Sequence, residues 1–288
     1  MAVDPKGSAM SREQSEAVTW HIVTVSFNSA TELRKHWANT SLPASTRWTV
    51  VDNASTDESV SVARELGAHV IPLDSNVGFG AANNVAARTV SAQYVLFVNP
   101  DVEVRFESLP DMAKTLERKQ GIVLAPQLLE PDGRLQPSGR GFPALSSKVL
   151  NRLPGADRRN YQILASDGER RYVSWAIGAA IAMSGATFDR LGWDERFFVY
   201  YEDSDLGLRA WKSGHPVVLD GTVRWVHAWA RETASLNVRA WRLELPSMFK
   251  FYSRYPHLLL PPVLAARFHP EKRIIGQLVD VSTSESSR

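Results

Sequence analysis

From residue 20 onward, short apolar runs alternate with amphipathic stretches. HIVTVSF (21–27), WTVVD (48–52), HVIPL (69–73), YVLFV (94–98) and residues 122–125 predict buried strands. Ser29-Ala-Thr-Glu32 predicts a capping box that opens a helix, with Leu33 and Trp37 one turn apart on its inner face. Ser55-Thr-Asp-Glu58 predicts a second box, whose helix stops at Gly67. Small residues from Ala81 to Val90 and the stretch around 108–119 predict two more helices. Strand–helix alternation of this kind predicts an α/β fold, a mostly parallel central sheet with helices on both faces.

The pattern changes after Pro126. Pro131-Asp-Gly133 predicts a turn. Residues 137–170, rich in Pro, Gly and Arg, predict flexible loops. Regular signals return with WAIGAAIAM (175–183), a helix at 205–213 and strands at 216–220 and 223–227. The organisation expected is a mobile tail (1–18), a domain with a first half at about 19–125 and a second at about 126–240, an aromatic and basic extension (241–276), and a second tail (277–288).

Composition narrows the class. With 288 residues, 44% of them apolar and 22% charged, the chain has the makings of a soluble globular protein with a large core. It has no cysteine, which excludes disulfides and Cys-ligated zinc or iron–sulfur sites. Any metal must be held by carboxylates, His or Asn. A formal charge of +2 does not suit a dedicated nucleic-acid binder. No run of 18 apolar residues occurs, and the first residues lack the apolar region of a secretory signal, so the expected compartment is the cytoplasm.

Ligands of an open parallel sheet bind beyond the carboxyl ends of its strands. Four polar clusters fall there: Phe27-Asn28, Asp52-Asn53, Asn76-Val-Gly78-Phe-Gly80 and Asn99-Pro-Asp101. Each also has a plain reading as a turn or a helix cap. The glycine loop is a poor dinucleotide fingerprint, because Asn83 stands where a third glycine is wanted. A second constellation, Tyr200-Tyr201-Glu202-Asp203-Ser-Asp205, precedes a helix. It reads either as N-terminal capping or as a general base, with Asp205 the structural member. His227 ends a strand and reads as structural or, with Asp101, as a ligand for Mg²⁺ or Mn²⁺.

VDNASTD (51–57), NVGFGAANN (76–84), FVNPDVE (97–103), WAIGAAIAMSGATFDRLGWDERFF (175–198), YYEDSDLGLRAWKSG (200–214) and VRWVHAW (223–229) occur in this order. Together they resemble the family 2 inverting glycosyltransferases of GT-A fold, and most closely the bacterial rhamnosyltransferase branch. The likeness covers roughly residues 20–260. It implies that residues 19–240 form a GT-A catalytic domain, with Asp203 as the catalytic base and Glu202 beside it. It implies that Asp52 binds the pyrimidine, with Asn28, Asn53, Asn76, Gly78, Gly80 and Asn99 lining the nucleotide. Asp101 and His227 match metal ligands for Mg²⁺ or Mn²⁺, and Trp175, Gly178 and Tyr201 match the acceptor and sugar side. The sequence departs from the family's DxD motif in that Asn99 replaces the first Asp, leaving Asp101 as its charged ligand.

The resemblance also implies a nucleotide-sugar donor, dTDP-L-rhamnose before UDP-hexose or UDP-galactofuranose. The acceptor would be a glycan or polyprenyl-linked glycolipid of the cell envelope. Two rivals share the sheet: a metal-dependent nucleotidyltransferase or phosphohydrolase, which leaves Glu202-Asp203 and Trp175–Gly178 without roles, and a non-catalytic nucleotide-sugar binder. In residues 241–269, Trp241, Phe249, Phe251, Tyr252, Tyr255 and Leu258–Leu260 lie among Arg239, Arg242, Lys250, Arg254 and Arg267. This composition suits peripheral attachment to the inner face of the cell membrane, or else a helix packed on the core.

Overall fold

A computed structural model of the chain describes residues 19–152, 155, 161–228 and 238–280. The tail expected at 1–18 and residues 281–288 of the tail expected at 277–288 lie outside the described residues. Residues 277–280 are no tail: the Tyr172 N–H donates to the Gln277 carbonyl at 3.0 Å, the Val279 N–H donates to the Arg170 carbonyl at 2.8 Å, and Val279 is buried. The first half is β1 (Trp20–Ser26), α1 (Ala30–Trp37), β2 (Thr46–Asp52), α2 (Ser59–Glu65), β3 (His69–Pro72), α3 (Phe79–Ala87) and β4 (Tyr94–Val98). Then come β5 (Val102–Glu103), α4 (Leu109–Arg118), β6 (Val123–Leu129), β7 (Gly139–Arg140), α5 (Leu145–Arg152), β8 (Gln162–Ile163), β9 (Arg170–Val173) and β10 (Trp175–Ala176). The chain continues through β11 (Ala180–Ser184), α6 (Gly185–Leu191), α7 (Glu202–Lys212), β12 (Val217–His227) and α8 (Val238–Arg254).

The large sheet has the order β3-β2-β1-β4-β11-β6-β12-β5, with β9 also paired to β12. β3, β2, β1 and β4 are mutually parallel, and so are β6 and β12, while β11 runs antiparallel to both β4 and β6. Six strands therefore point their carboxyl ends at one rim, and β11 brings its amino end there. The strands alternate faces residue by residue. Ile22, Val50 and Leu96 pack with Trp37 and Trp48 on one face, while Val23, Val51 and Phe97 pack with Phe188 and Trp193 on the other. A third core joins Phe142, Tyr201, Phe251, Tyr252 and Leu258.

Several local expectations change. Neither capping box forms: the side chains of Ser29 and Glu58, the residues at the two helix caps, accept no capping hydrogen bond. Asp57 serves both helices instead, accepting from the Ala30 N–H at 3.1 Å and the Ser59 N–H at 3.0 Å. Burial alone would raise the Asp57 carboxyl, but these donors and the Ser59 hydroxyl outweigh it and hold it below its ordinary range. Gly67 stops α2 with a φ of 84°, as expected. Residues 137–170, read as loops, contain β7, α5 and β8, and β7 is the middle strand of a small antiparallel sheet with β8 and β10. The two strands expected at 216–227 are one, with a register shift between Asp220 and Arg224. The helix expected at 205 starts at Glu202, which places all three acidic residues in its first turn.

Candidate active site

All four polar clusters lie on the rim described above. Asn28, at φ 53°, locks two rim loops together. Its N–H donates to Ser55 Oγ at 2.8 Å, and its Oδ1 accepts from the Thr56 N–H at 2.8 Å. Asn53 is buried and holds the glycine loop. Its Nδ2 donates to Asn76 Oδ1 at 2.9 Å and its Oδ1 accepts from the Val77 N–H at 2.9 Å, while Asn76 Oδ1 also accepts from the Gly78 N–H. Asp52 is 2% exposed. Its Oδ2 accepts from the Ser55 N–H at 2.9 Å, and its buried Oδ1 has no hydrogen-bond partner. An uncompensated carboxylate oxygen in a rim loop is a group that a ligand's donor would satisfy.

Gly78 has a φ of 91°, and a Cβ there would lie 2.4 Å from the Phe198 carbonyl oxygen. The Phe79 N–H donates to that same oxygen at 2.8 Å, so the loop touches the segment leading into α7. A Cβ on Gly80 would lie 3.1 Å from Trp193 Cβ. Gly80 is buried in the first turn of α3 and packs against Trp193.

Asn99 donates its backbone N–H to the Ala179 carbonyl at 2.9 Å, tying the end of β4 to the start of β11. Trp37 pins the same loop, its indole N–H donating to the Pro100 carbonyl at 3.1 Å. Asp101 Oδ2 lies 3.4 Å from His227 Nε2, so the ends of β4 and β12 meet. His227 Nδ1 lies 2.8 Å from Gln136 Oε1. An amide oxygen there accepts from the Nδ1–H, and Nε2 is the ring nitrogen that faces Asp101. Asp101 Oδ1 is buried without a hydrogen-bond partner. Two side chains, the Asp101 carboxylate with its unpartnered buried Oδ1 and the His227 imidazole, are of the kind that suits a divalent cation. No group of three or more metal-ligating side chains occurs among the described residues.

The acidic run is presented by a strained turn. Tyr200 and Tyr201 both have left-handed backbones, φ 66° and 70°, immediately before α7. Asp203 Oδ1 accepts from the Ser204 N–H at 2.7 Å and the Ser204 hydroxyl at 3.3 Å. Burial raises the Asp203 carboxyl, while Lys148, the Ser204 and Gly178 backbone N–H groups and Arg140 pull it back. Burial, and then the negative charge of Asp203, push the Glu202 carboxyl well above the usual carboxylate range. Glu202 Oε2 is buried and unpartnered. Asp205 is structural, as expected, but not as a cap: its buried carboxylate accepts from Arg209 Nε at 2.6 Å and from the Tyr255 hydroxyl at 2.8 Å.

Of the residues expected on the acceptor side, Gly178 lies against Phe79 and Asp203. Trp175 and Tyr201 are buried beneath the acidic turn. Trp175 packs onto Gly207 of α7, where a Cβ would approach to 2.5 Å. Lys148, Arg140, Ser204, Gln136 and Gly207 were not singled out from sequence. Lys148 and Arg140 sit in the stretch read as loops, and no local pattern links them to residue 203.

The mostly parallel sheet, flanked by helices and carrying its polar clusters on one rim, has the fold of the GT-A glycosyltransferases. The mannosyltransferase PcManGT from Pyrobaculum calidifontis, solved with GDP-Man and Mn²⁺, shares that fold. Its TM-score is 0.53 at 19% identity, over 79% of this chain and 61% of that one. Residues 22–165 match the Glycosyl transferase family 2 profile, and the chain belongs to that family. It is 30% identical over 221 residues to the N-acetylglucosaminyl-diphospho-decaprenol L-rhamnosyltransferase of Mycobacterium tuberculosis, covering 67% of this chain and 70% of the relative. It is 28% identical over 192 residues to the rhamnosyltransferase WbbL of Escherichia coli, covering 62% of this chain and 70% of that one.

Proposed function

We propose that this glycosyltransferase moves L-rhamnose from dTDP-L-rhamnose to a hydroxyl of a polyprenyl-linked glycolipid in envelope glycan synthesis, with inversion at the anomeric carbon. The observation that carries the sugar and the acceptor is the 30% identity to the mycobacterial rhamnosyltransferase over two thirds of the chain. The arrangement of residues supports the chemistry. Asp52 Oδ1, buried without a hydrogen-bond partner, would accept from the N3–H of thymine. Asp101 and His227 would hold Mg²⁺ or Mn²⁺, which when bound would neutralise charge on the leaving diphosphate.

Asp203 takes the proton of the acceptor hydroxyl as its oxygen attacks the anomeric carbon. The bond from that carbon to the diphosphate breaks in the same displacement, and the nucleoside diphosphate departs. Burial and then the Asp203 charge raise the Glu202 carboxyl, which favours a neutral neighbour for the base. The Asn99–Ala179 backbone bond and the Gly178–Asp203 contact connect the donor rim to the base.

The test is Asp203→Asn, assayed for dTDP release with dTDP-L-rhamnose and a short-chain N-acetylglucosaminyl-diphospho-polyprenol. Loss of a general base lowers kcat by ~10²–10⁴-fold with donor affinity kept. Near-normal transfer in this variant removes Asp203 from the mechanism. Release of monophosphate by the unaltered enzyme favours the nucleotidyltransferase or phosphohydrolase reading.

We also propose peripheral contact with anionic lipid. No described helix is long and apolar enough to cross a membrane. Phe251, Tyr252 and Leu258, expected at the lipid, are buried in the third core and are removed from that surface. Trp241, Leu245 and Phe249 follow one face of α8 and are exposed, Phe249 by 74%, with Arg242 and Lys250 nearby in sequence. Flotation with phosphatidylglycerol liposomes at low salt tests the contact. Absence of binding there refutes it.

A further inference from the structure

Lys148 lies on α5, far in sequence from the acidic turn, yet its ammonium ends beside it. Nζ stands 3.6 Å from the centre of the Tyr201 ring, 4.9 Å from that of Trp175 and 5.4 Å from that of Phe251. Three aromatic rings around one ammonium favour the cation in this position. Nζ also donates to Ser204 Oγ at 3.1 Å. The Ser204 hydroxyl in turn donates to Asp203 Oδ1 at 3.3 Å, and the Ser204 N–H donates to that same oxygen at 2.7 Å. Oδ1 is thereby occupied by protein donors, and the carboxylate cannot rotate without losing them.

We infer that Lys148 is a positioning residue: from its aromatic cage it acts through the Ser204 hydroxyl to fix the orientation of the Asp203 carboxylate and to balance its charge. The inference rests on Asp203 being the base, as proposed above. It gives jobs to Trp175 and Tyr201 that differ from sugar contact, since both are buried and face the ammonium. The other charged groups around Asp203 are Glu202 on its own helix and Arg140 on β7, with Asp205 acting on Glu202. Arg140 is half-buried over the Trp175 ring, with its guanidinium donating to the Pro137 carbonyl. Lys148 is the nearer cation by hydrogen bonding, reaching Asp203 through one hydroxyl.

The experiment measures the pH dependence of kcat for the unaltered enzyme and for Lys148→Met, Lys148→Arg, Ser204→Ala and Asp203→Asn, with thermal midpoints for each. Transfer requires the ionised base, so kcat rises with pH through the titration of Asp203. Removing the cation raises that titration, so Lys148→Met is expected to move the acidic limb upward by about one pH unit, a tenfold loss on that limb. Its donor KM should be unchanged. Lys148→Arg is expected to restore the limb. Ser204→Ala, which leaves the cage intact, should move it in the same direction by less, and it carries the test if Lys148→Met does not fold. An unchanged limb in Lys148→Met and Ser204→Ala, beside an inactive Asp203→Asn, overturns the role of Lys148 and leaves the base standing. A lower thermal midpoint with an unchanged limb overturns it equally, as a purely structural role. An active Asp203→Asn overturns the base, and the role of Lys148 with it.

Discussion

Replacing Asp205 by Asn separates structure from chemistry within one acidic run. The Asp205 side chain is fully buried, with Arg209 Nε at 2.6 Å and Arg254 Nη1 at 3.2 Å. Its Oδ1 also accepts from Tyr255. One carboxylate thus joins α7 to α8 and the residue that follows α8. The Asn amide is nearly isosteric but removes the charge shared by two cations. Breaking a buried pair costs about 3–5 kcal/mol. Arg209 and Arg254 retain 16% and 30% side-chain exposure, and Arg209 keeps the carbonyls of Leu191 and Gly192, so part of that loss is recovered through solvent and these partners. About 2–4 kcal/mol remains after that discount. For a chain of this size one kcal/mol moves the thermal midpoint by roughly 2 °C, so the expected fall is roughly 4–8 °C. Scanning fluorimetry at fixed ionic strength measures it, alongside dTDP release at 20 °C. The folded variant should retain transfer, the reverse of Asp203→Asn. A midpoint within 1 °C of the unaltered protein, or a folded variant without transfer, refutes the reasoning.

Three further outcomes are expected. Asp52→Ala should weaken binding of dTDP alone, by calorimetry, with only a modest fall in the thermal midpoint, because Oδ1 has no protein partner to lose and Oδ2 loses the Ser55 N–H, a bond worth about 0.5–1.5 kcal/mol. Gly78→Ala should lower the midpoint and donor affinity together, since a Cβ at φ 91° would stand 2.4 Å from the Phe198 carbonyl, and left-handed strain alone costs about 1–3 kcal/mol. Burial, then Arg47 and His69, lowers the His21 pKa to about 4 from an unfolded value of 6.5. The unfolded chain therefore binds the proton first, and stability is full above pH 6.5 and falls by up to about 3 kcal/mol towards pH 4. Urea unfolding at pH 7 and 4.5 should show a smaller difference in His21→Gln than in the unaltered chain, and equal differences refute the assignment.

The strands and their order of appearance were legible because each is a short apolar run bounded by turn residues, YVLFV at 94–98 to the residue. The rim clusters were legible for the same reason: strand ends can be counted along a chain. The pairing of β11 was not, since an antiparallel strand inserted between parallel ones carries no local mark. The capping boxes failed because Asp57 reaches both helix starts through space, a competition that a four-residue pattern cannot register. Lys148 and Gln136 escaped notice because their roles depend on β7 and α5 folding back under the acidic turn. Phe251 and Tyr252 read as an interfacial pair from composition, but burial on one side of α8 is decided by what packs there.

The antiparallel strand β11 has a mechanical consequence. It is hydrogen-bonded on one side to β4 and on the other to β6, so the stretch holding Asp52 and Asp101 and the stretch holding the acidic turn are stitched into one slab. A hinge between them would have to tear a ladder running from Ala180↔Val98 to Ser184↔Tyr94, in a strand with almost no exposure. The slab therefore holds the Asp52 and Asp101 rim at a fixed separation from the acidic turn, and the Phe79 N–H bond to the Phe198 carbonyl ties the glycine loop to the segment that leads into α7.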